Sequence, residues 1–324
     1  MGDDGPAGDD DLTSFEQIFL GGPPAFTREQ AISELDIDPD YADEIWRAFG
    51  FAHDPSDTAI FTEDDLAAMG LIRAAYEDSS SDAAVGAART VGQAMARLAE
   101  WQAYRLTDLD GDPAVAAGLA ELAVAMERVH TLVWRRHLVA ALRNVRQQKS
   151  TESDTTTTTV GFCDIVGYTS LSRRIGNQEL TELLDTFESK TTAIITEHGG
   201  VVVKTLGDAV MFTVPQPNSA AAIALEVHAI SETAPSIPPL RVGLAYGEVL
   251  SRYGDVFGEP VNIAARLTGS ARPGTSLCDA ALADAIDDDR FYVKSIGTLN
   301  VRGYRHLKAR VIEPNRGRVS EPTD

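Results

Sequence analysis

Five consecutive threonines, Thr155–Thr159, divide this chain into two grammars. β-Branched side chains crowd the turns of a helix but pack well on a pleated surface, so the run predicts a strand. We read "TTTTTVGFCDIVG" as the first strand of a second domain. Before it, the text is helical, and no glycine or proline follows Gly118 for about 30 residues.

The second half continues with "NQELTELLDTFESKTTAIITEHGG", an amphipathic helix. Leu180, Leu183, Leu184, Phe187, Thr191, Ile194 and Ile195 fall on one face, with Asn177 as the expected cap and Gly199–Gly200 as the stop. Next, "VVVKTLGDAVMF" reads as two buried strands joined by a tight turn. A helix ("NSAAAIALEVHAISETA"), a strand ("LRVGLAYGEVL"), a helix ("EPVNIAARLTGSA") and short strands complete the order. The series β-α-β-β-α-β with additions predicts an α+β domain with a ferredoxin-like core.

The first half predicts an all-α domain. In "FTREQAISELDIDPDYADEIWRAFGF" Thr27 caps one short helix, with Gln30 three residues on, and the Asp38–Pro39 step starts another. Thr62 and Asp65 repeat the start signal. Asp112 and Pro113 open a long connecting helix, in which Leu119, Leu122, Met126, Val129 and Val133 form a seam at 3-4 spacing. The expected divisions are an unstructured tail (1–11), a helical domain (12–111), the connecting helix (112–150), the α+β domain (151–316) and a second tail (317–324).

A net charge of −21 argues against a broad grip on nucleic acid or an anionic membrane, both of which call for basic surface. "TREQAISELDI" has some likeness to a helix-turn-helix reader of DNA, but the stretch lacks the lysines and arginines that phosphate contacts need. No stretch approaches the roughly 20 apolar residues of a membrane span, and the acidic start does not read as a secretory signal. The expectation is a cytoplasmic protein. The cysteines, Cys163 and Cys278, cannot make a disulfide framework and read as buried thiols.

Charged residues inside the apolar strands carry the chemistry. Asp164 ends the first strand, and Asp208 follows Gly207 at the hairpin turn. In a ferredoxin-like sheet the first strand lies beside the hairpin, so the two carboxylates converge. Paired carboxylates at strand ends suit Mg²⁺ or Mn²⁺, hard cations that leave coordination positions open for phosphate. Asn262 and Arg266, at i and i+4, share a helix face.

Together, "VGFCDIVGYTSLS", "GGVVVKTLGDAVMF" and "GDVFGEPVNIAARL" resemble the class III nucleotidyl cyclase catalytic domain over about residues 156–315. The resemblance implies conversion of ATP to 3′,5′-cyclic AMP and pyrophosphate, with two divalent ions per site. Asp164, Asp208 and the carbonyl of Ile165 would be the metal ligands. Lys204 and Asp255 would read adenine, because a lysine donates to ring N1 and a carboxylate accepts from the 6-amino group. A guanylyl enzyme typically has glutamate and cysteine at these places. Asn262 would orient the ribose, Arg266 would stabilise charge on the α-phosphate, and Arg302 would be a further phosphate cation. No dedicated general base stands out, and that task falls to metal-bound Asp164 or to water.

The resemblance further implies a head-to-tail homodimer with two shared sites, so that Lys204 and Asp208 of one chain serve different sites. A degenerate domain that binds nucleotide without turnover is the alternative, but all six key positions are filled. The helical half is similar to the regulatory region of pH-responsive actinobacterial adenylyl cyclases. On the connecting helix His130 and His137, seven residues apart beside the seam, read either as proton-sensitive groups or as ordinary helix-surface histidines.

Overall fold

The computed structural model describes residues 17–51, 58–76, 81–107, 118–148, 155–252 and 254–315. The chain folds as two bodies, residues 1–150 and 151–324. Both expected tails and the Asp112–Pro113 step lie outside the described residues.

Local start and stop chemistry sets the helices of the first body. Helix α1 (Arg28–Leu35) opens on a reciprocal capping box between Thr27 and Gln30. Asp38 caps α2 (Pro39–Phe49), accepting from the Tyr41 amide at 3.0 Å, and Gly50 ends it at φ 97°. Before α3 (Glu63–Tyr76), the Thr62 hydroxyl accepts from the Asp65 amide at 3.1 Å while the Asp65 carboxylate accepts from the Thr62 amide at 2.9 Å. Helix α4 (Ser81–Thr107) approaches α2 closely at Gly92, where a Cβ would lie 2.1 Å from the Phe49 carbonyl oxygen.

Helix α5 (Leu119–Gln148) is the connecting helix, about 45 Å long at 1.5 Å per residue. Its expected seam is only half realised. Leu119 is buried and Leu122 and Met126 are half-buried, but Val129 and Val133 stand 56% and 47% exposed. Spacing places these residues in line, whereas coverage depends on a neighbouring surface.

The second body is a mixed eight-stranded sheet covered on both faces. Its elements are β1 (Thr155–Ile165), α6 (Tyr168–Leu171), α7 (Asn177–Glu197), β2 (Val201–Thr205), β3 (Ala209–Val214), α8 (Pro217–Glu226), α9 (Ala229–Thr233) and β4 (Leu240–Arg252). There follow β5 (Asp255–Phe257), α10 (Glu259–Ser270), β6 (Ser276–Cys278), α11 (Ala280–Ala285), β7 (Phe291–Val301) and β8 (Tyr304–Pro314). The strand order is β2-β3-β1-β4-β6-β8-β7, with β5 paired to β4. Its first four strands have the ferredoxin-like arrangement, β1 lying antiparallel between β3 and β4.

Alternation along β1 explains the two layers. Cys163 and Ile165 face a core with Leu183, Phe187 and Ile195 of α7, whereas Val160 and Phe162 face Met211 and Ala264 of α10 on the other side. Burying one such large side chain contributes roughly 1.5–3 kcal/mol. Both cysteines are buried free thiols, and burial pushes Cys278 up to about 12. Helix α10 is held close to β4 at Gly243, where a Cβ would lie 2.2 Å from the Thr268 amide nitrogen.

Four local expectations are corrected. Gly176, not Asn177, is the cap residue of α7, and Asn177 is already helical. The C-terminal end holds as read: Gly199 is left-handed at φ 75°, and the Gly200 amide reaches back to the Ile195 carbonyl at 2.8 Å. Strand β2 is a partly exposed edge strand rather than a buried one, with Val201 53% exposed and a bulge between Val202 and Lys204. Strands β7 and β8 are long, 11 residues each. The helix expected across "NSAAAIALEVHAISETA" breaks at Val227–His228 into α8 and α9.

Candidate functional site

Two clusters of charged side chains form on the sheet, one at the β1–β3 junction and one between β2 and β5. In the first, Asp164 near the end of β1 pairs in register with Ala209, so Asp208 arrives beside it at the start of β3. The Ile165 amide donates to the Asp208 carbonyl at 3.0 Å and fixes that approach. Gly207, at φ 69°, supplies the left-handed turn that delivers Asp208, and Gly167, at φ 75°, turns the chain away after β1.

Asp164 is held by an arginine absent from the residues picked out in the sequence. Arg241, directly opposite it on β4, donates from Nε to Asp164 Oδ2 at 2.8 Å and uses Nη2 on the same oxygen. The other oxygen, Oδ1, is buried with no hydrogen-bond partner. Burial is the main influence that raises the Asp164 pKa; Arg241 opposes it, and the nearby Asp208 carboxylate adds to the rise. A buried carboxylate with one anchored and one unanswered oxygen, beside a second carboxylate, fits a divalent cation. Among the described residues no group of three or more His, Cys, Asp or Glu side chains is placed to hold a metal ion by itself.

The second cluster joins β2 to β5. The Lys204 ammonium and the Asp255 carboxylate form an ion pair, and Asp255 also accepts from the Val256 amide at 2.9 Å. These hydrogen bonds outweigh burial and lower the Asp255 pKa. Both side chains are about one-third exposed, so the pair is open at the surface.

Helix α10 starts two residues after β5 and presents Asn262 and Arg266 on its exposed face. Arg302 is exposed in the β7–β8 turn. Tyr304, two residues further on, feels the charges of both Glu259 and Arg266, which places that turn beside α10. Of the ten residues picked out in sequence, the structure joins Asp164, Ile165 and Asp208 in one cluster and Lys204 and Asp255 in another. Asn262, Arg266 and Arg302 form an exposed rim.

His130 and His137 lie on α5 in the other body. Half-buried His130 meets the Gln102 side chain of α4 at 2.8 Å, while His137 is exposed. An apolar cavity of about 260 Å³ in that body is lined by Leu35, Trp46, Phe49, Phe61 and Met69 among others, and by none of the ten site residues.

The α+β domain thus carries a strand-end acid pair and, separately, an open lysine–carboxylate pair. Comparison makes the class specific: residues 150–314 match the family described as the adenylate and guanylate cyclase catalytic domain. The chain is 33% identical to an adenylate cyclase of Glutamicibacter nicotianae over 92% of its own length and 81% of that protein's. It is 37% identical to one of Streptomyces coelicolor (88% and 78%) and 29% identical to a pH-sensitive adenylate cyclase of Mycobacterium tuberculosis (89% and 78%). The adenylyl cyclase CyaB of P. aeruginosa aligns with a TM-score of 0.44 at 22% identity, over 50% of this chain and 97% of that one. The chain belongs to the class III nucleotidyl cyclase family, in its actinobacterial form with an all-helical N-terminal region. Among the described residues, no helix is long and apolar enough to cross a membrane.

Proposed function

We propose that this chain converts ATP to 3′,5′-cyclic AMP and pyrophosphate at sites shared between two copies. The observation that carries the reading is the separation of two pairs within one hairpin. Lys204 is committed to Asp255, whereas Asp208, only four residues on, stands beside Asp164. Two-fold association of such a domain would place the acid pair of one chain opposite the lysine, aspartate and α10 face of its partner.

Asp164, Asp208 and the Ile165 carbonyl would hold Mg²⁺ or Mn²⁺, two ions per site. When bound, such ions lower the pKa of an attacking hydroxyl and neutralise phosphate charge. Arg241 keeps Asp164 Oδ2 engaged, so that Oδ1 is the oxygen left to bind. Lys204 donates to adenine N1 and Asp255 accepts from the 6-amino group, while their ion pair keeps the carboxylate ionised and aimed. Asn262 orients the ribose. Arg266 meets charge developing on the α-phosphate, supported by Arg302; its planar fork suits phosphate oxygens.

The helical body regulates the site. Support comes from a pH-sensitive relative that matches across both halves, and from the place of His130 and His137 on α5, the last helix before the catalytic domain. Protonation of these imidazoles would bias two arrangements of that helix.

The test is cyclic AMP formation by the purified protein with Mn²⁺ or Mg²⁺ across pH 5.5–8. ATP consumed with cyclic AMP as product supports the reading. Tight nucleotide binding without turnover, with both metals at every pH, would instead establish a nucleotide receptor.

A further inference from the structure

His228 is a half-buried titratable group with no part in the proposed chemistry. It sits at the break between α8 and α9, with Nε2 2.8 Å from the Ser276 hydroxyl on β6. That hydroxyl donates to the Ala224 carbonyl at 2.6 Å. Ala224 lies in the last turn of α8, and the His228 amide, which would continue the helix, turns to Leu225 instead. The serine proton is thus spent on a helix-end carbonyl, so Ser276 Oγ accepts, and His228 must donate from Nε2. Its Nδ1 is then a bare lone pair. It is buried, and no hydrogen-bond partner faces it among the described residues.

We propose that His228 fastens the catalytic domain in a proton-sensitive way, so that acidification loosens the α8–α9 segment from β6 independently of the helical half. A second proton must go to Nδ1, where the new N–H would be buried without an acceptor. Burial accordingly lowers the His228 pKa, and no charged neighbour contributes to that shift. The charged groups on the surrounding elements are otherwise engaged or turned outward. Glu226 of α8 pairs with His198 at the end of α7, Glu232 of α9 is exposed, Asp279 after β6 caps α11, and Arg310 of β8 faces Asp284 of α11.

The direction follows from linkage. The unfolded or opened segment takes up a proton near pH 6.5, whereas the closed one does not until the pH is lower. Stability contributed by neutral His228 is full above about pH 6.5 and is lost as the pH falls towards the folded value, by up to tenfold in the opening constant per pH unit.

Amide hydrogen exchange by mass spectrometry on the full chain tests this, because it reads peptides from 217–233 and 275–282 separately. Between pH 7.5 and 5.5, after correction for intrinsic rates, wild-type protection there is expected to fall several-fold more than in His228→Gln. Glutamine can donate to Ser276 but cannot take the proton. Equal losses in the two proteins would overturn the proposal. Should the variant not fold, hydrogen–deuterium exchange at the imidazole C2 position of the wild type gives the His228 midpoint directly. A midpoint below 6.5 supports the fastening, and one at or above 6.5 overturns it.

Discussion

Lys204 and Asp255 bind each other across β2 and β5, although Lys204 is only four residues from Asp208 and the acid cluster it forms with Asp164. A single hairpin therefore contributes one residue to each of the two pairs. Asp208→Ala and Arg266→Ala variants should each be inactive alone. Mixed under conditions that exchange subunits, they should recover about a quarter of wild-type activity, since half the dimers are mixed and each mixed dimer has one intact site. Cyclic AMP measured against the mixing ratio checks this. Mixed dimers that remain inactive would refute site sharing.

Base reading is a separate matter from metal binding. Lys204→Ala removes a charged donor and leaves Asp255 without its ion-pair partner. Losing one charge-assisted hydrogen bond costs about 1.5–3 kcal/mol, so kcat/KM for ATP should fall ~10–100-fold. Discrimination against GTP should weaken, while the dependence of activity on divalent-ion concentration stays unchanged. Steady-state kinetics with both nucleotides decides it.

Why these pairs were legible in sequence, while others were not, has a physical basis. A charge inside an apolar strand is costly unless it is paired, so Asp164, Lys204 and Asp208 stand out wherever they occur. Arg241 in "LRVGLAY" obeys the same logic, yet went unremarked because its partner lies 77 residues away across the β1–β4 ladder. Caps at Thr27, Asp38 and Thr62 were readable because their partners lie within three residues. Exposure was not. Three valines in a row suggest a buried strand, but β2 lies at the sheet edge, a matter of topology rather than composition. The break at His228 likewise depends on Ser276, 48 residues on.

Gly243 offers a purely steric test of how α10 is aimed. An alanine there would press a methyl group into the Thr268 amide and the Ala264 carbonyl, both backbone atoms of α10 that cannot swing aside. Overpacking of this kind costs typically 1–3 kcal/mol, and moving α10 displaces Asn262 and Arg266 together. Gly243→Ala should lower the melting temperature and reduce kcat, whereas Gly269→Ala, in open space on the same helix, should do neither. Thermal melts with turnover assays separate the two.

The pH dependence of metal binding follows from Asp164. Burial raises its pKa, so on acidification it takes up a proton before an ordinary aspartate does. Protons therefore compete with the ion for this carboxylate earlier on acidification than they would for an exposed one. Mn²⁺ at about 100 times its dissociation constant should stabilise the protein by ~2.7 kcal/mol near neutral pH. That gain should shrink steadily towards acid pH, because protonated Asp164 offers no charge to the ion. Asp208→Asn should abolish most of it at every pH. Melting temperatures with and without Mn²⁺, measured from pH 7.5 down to pH 5, test the point: a metal-induced gain that stays flat with pH, or survives Asp208→Asn, would mean that the ion binds elsewhere.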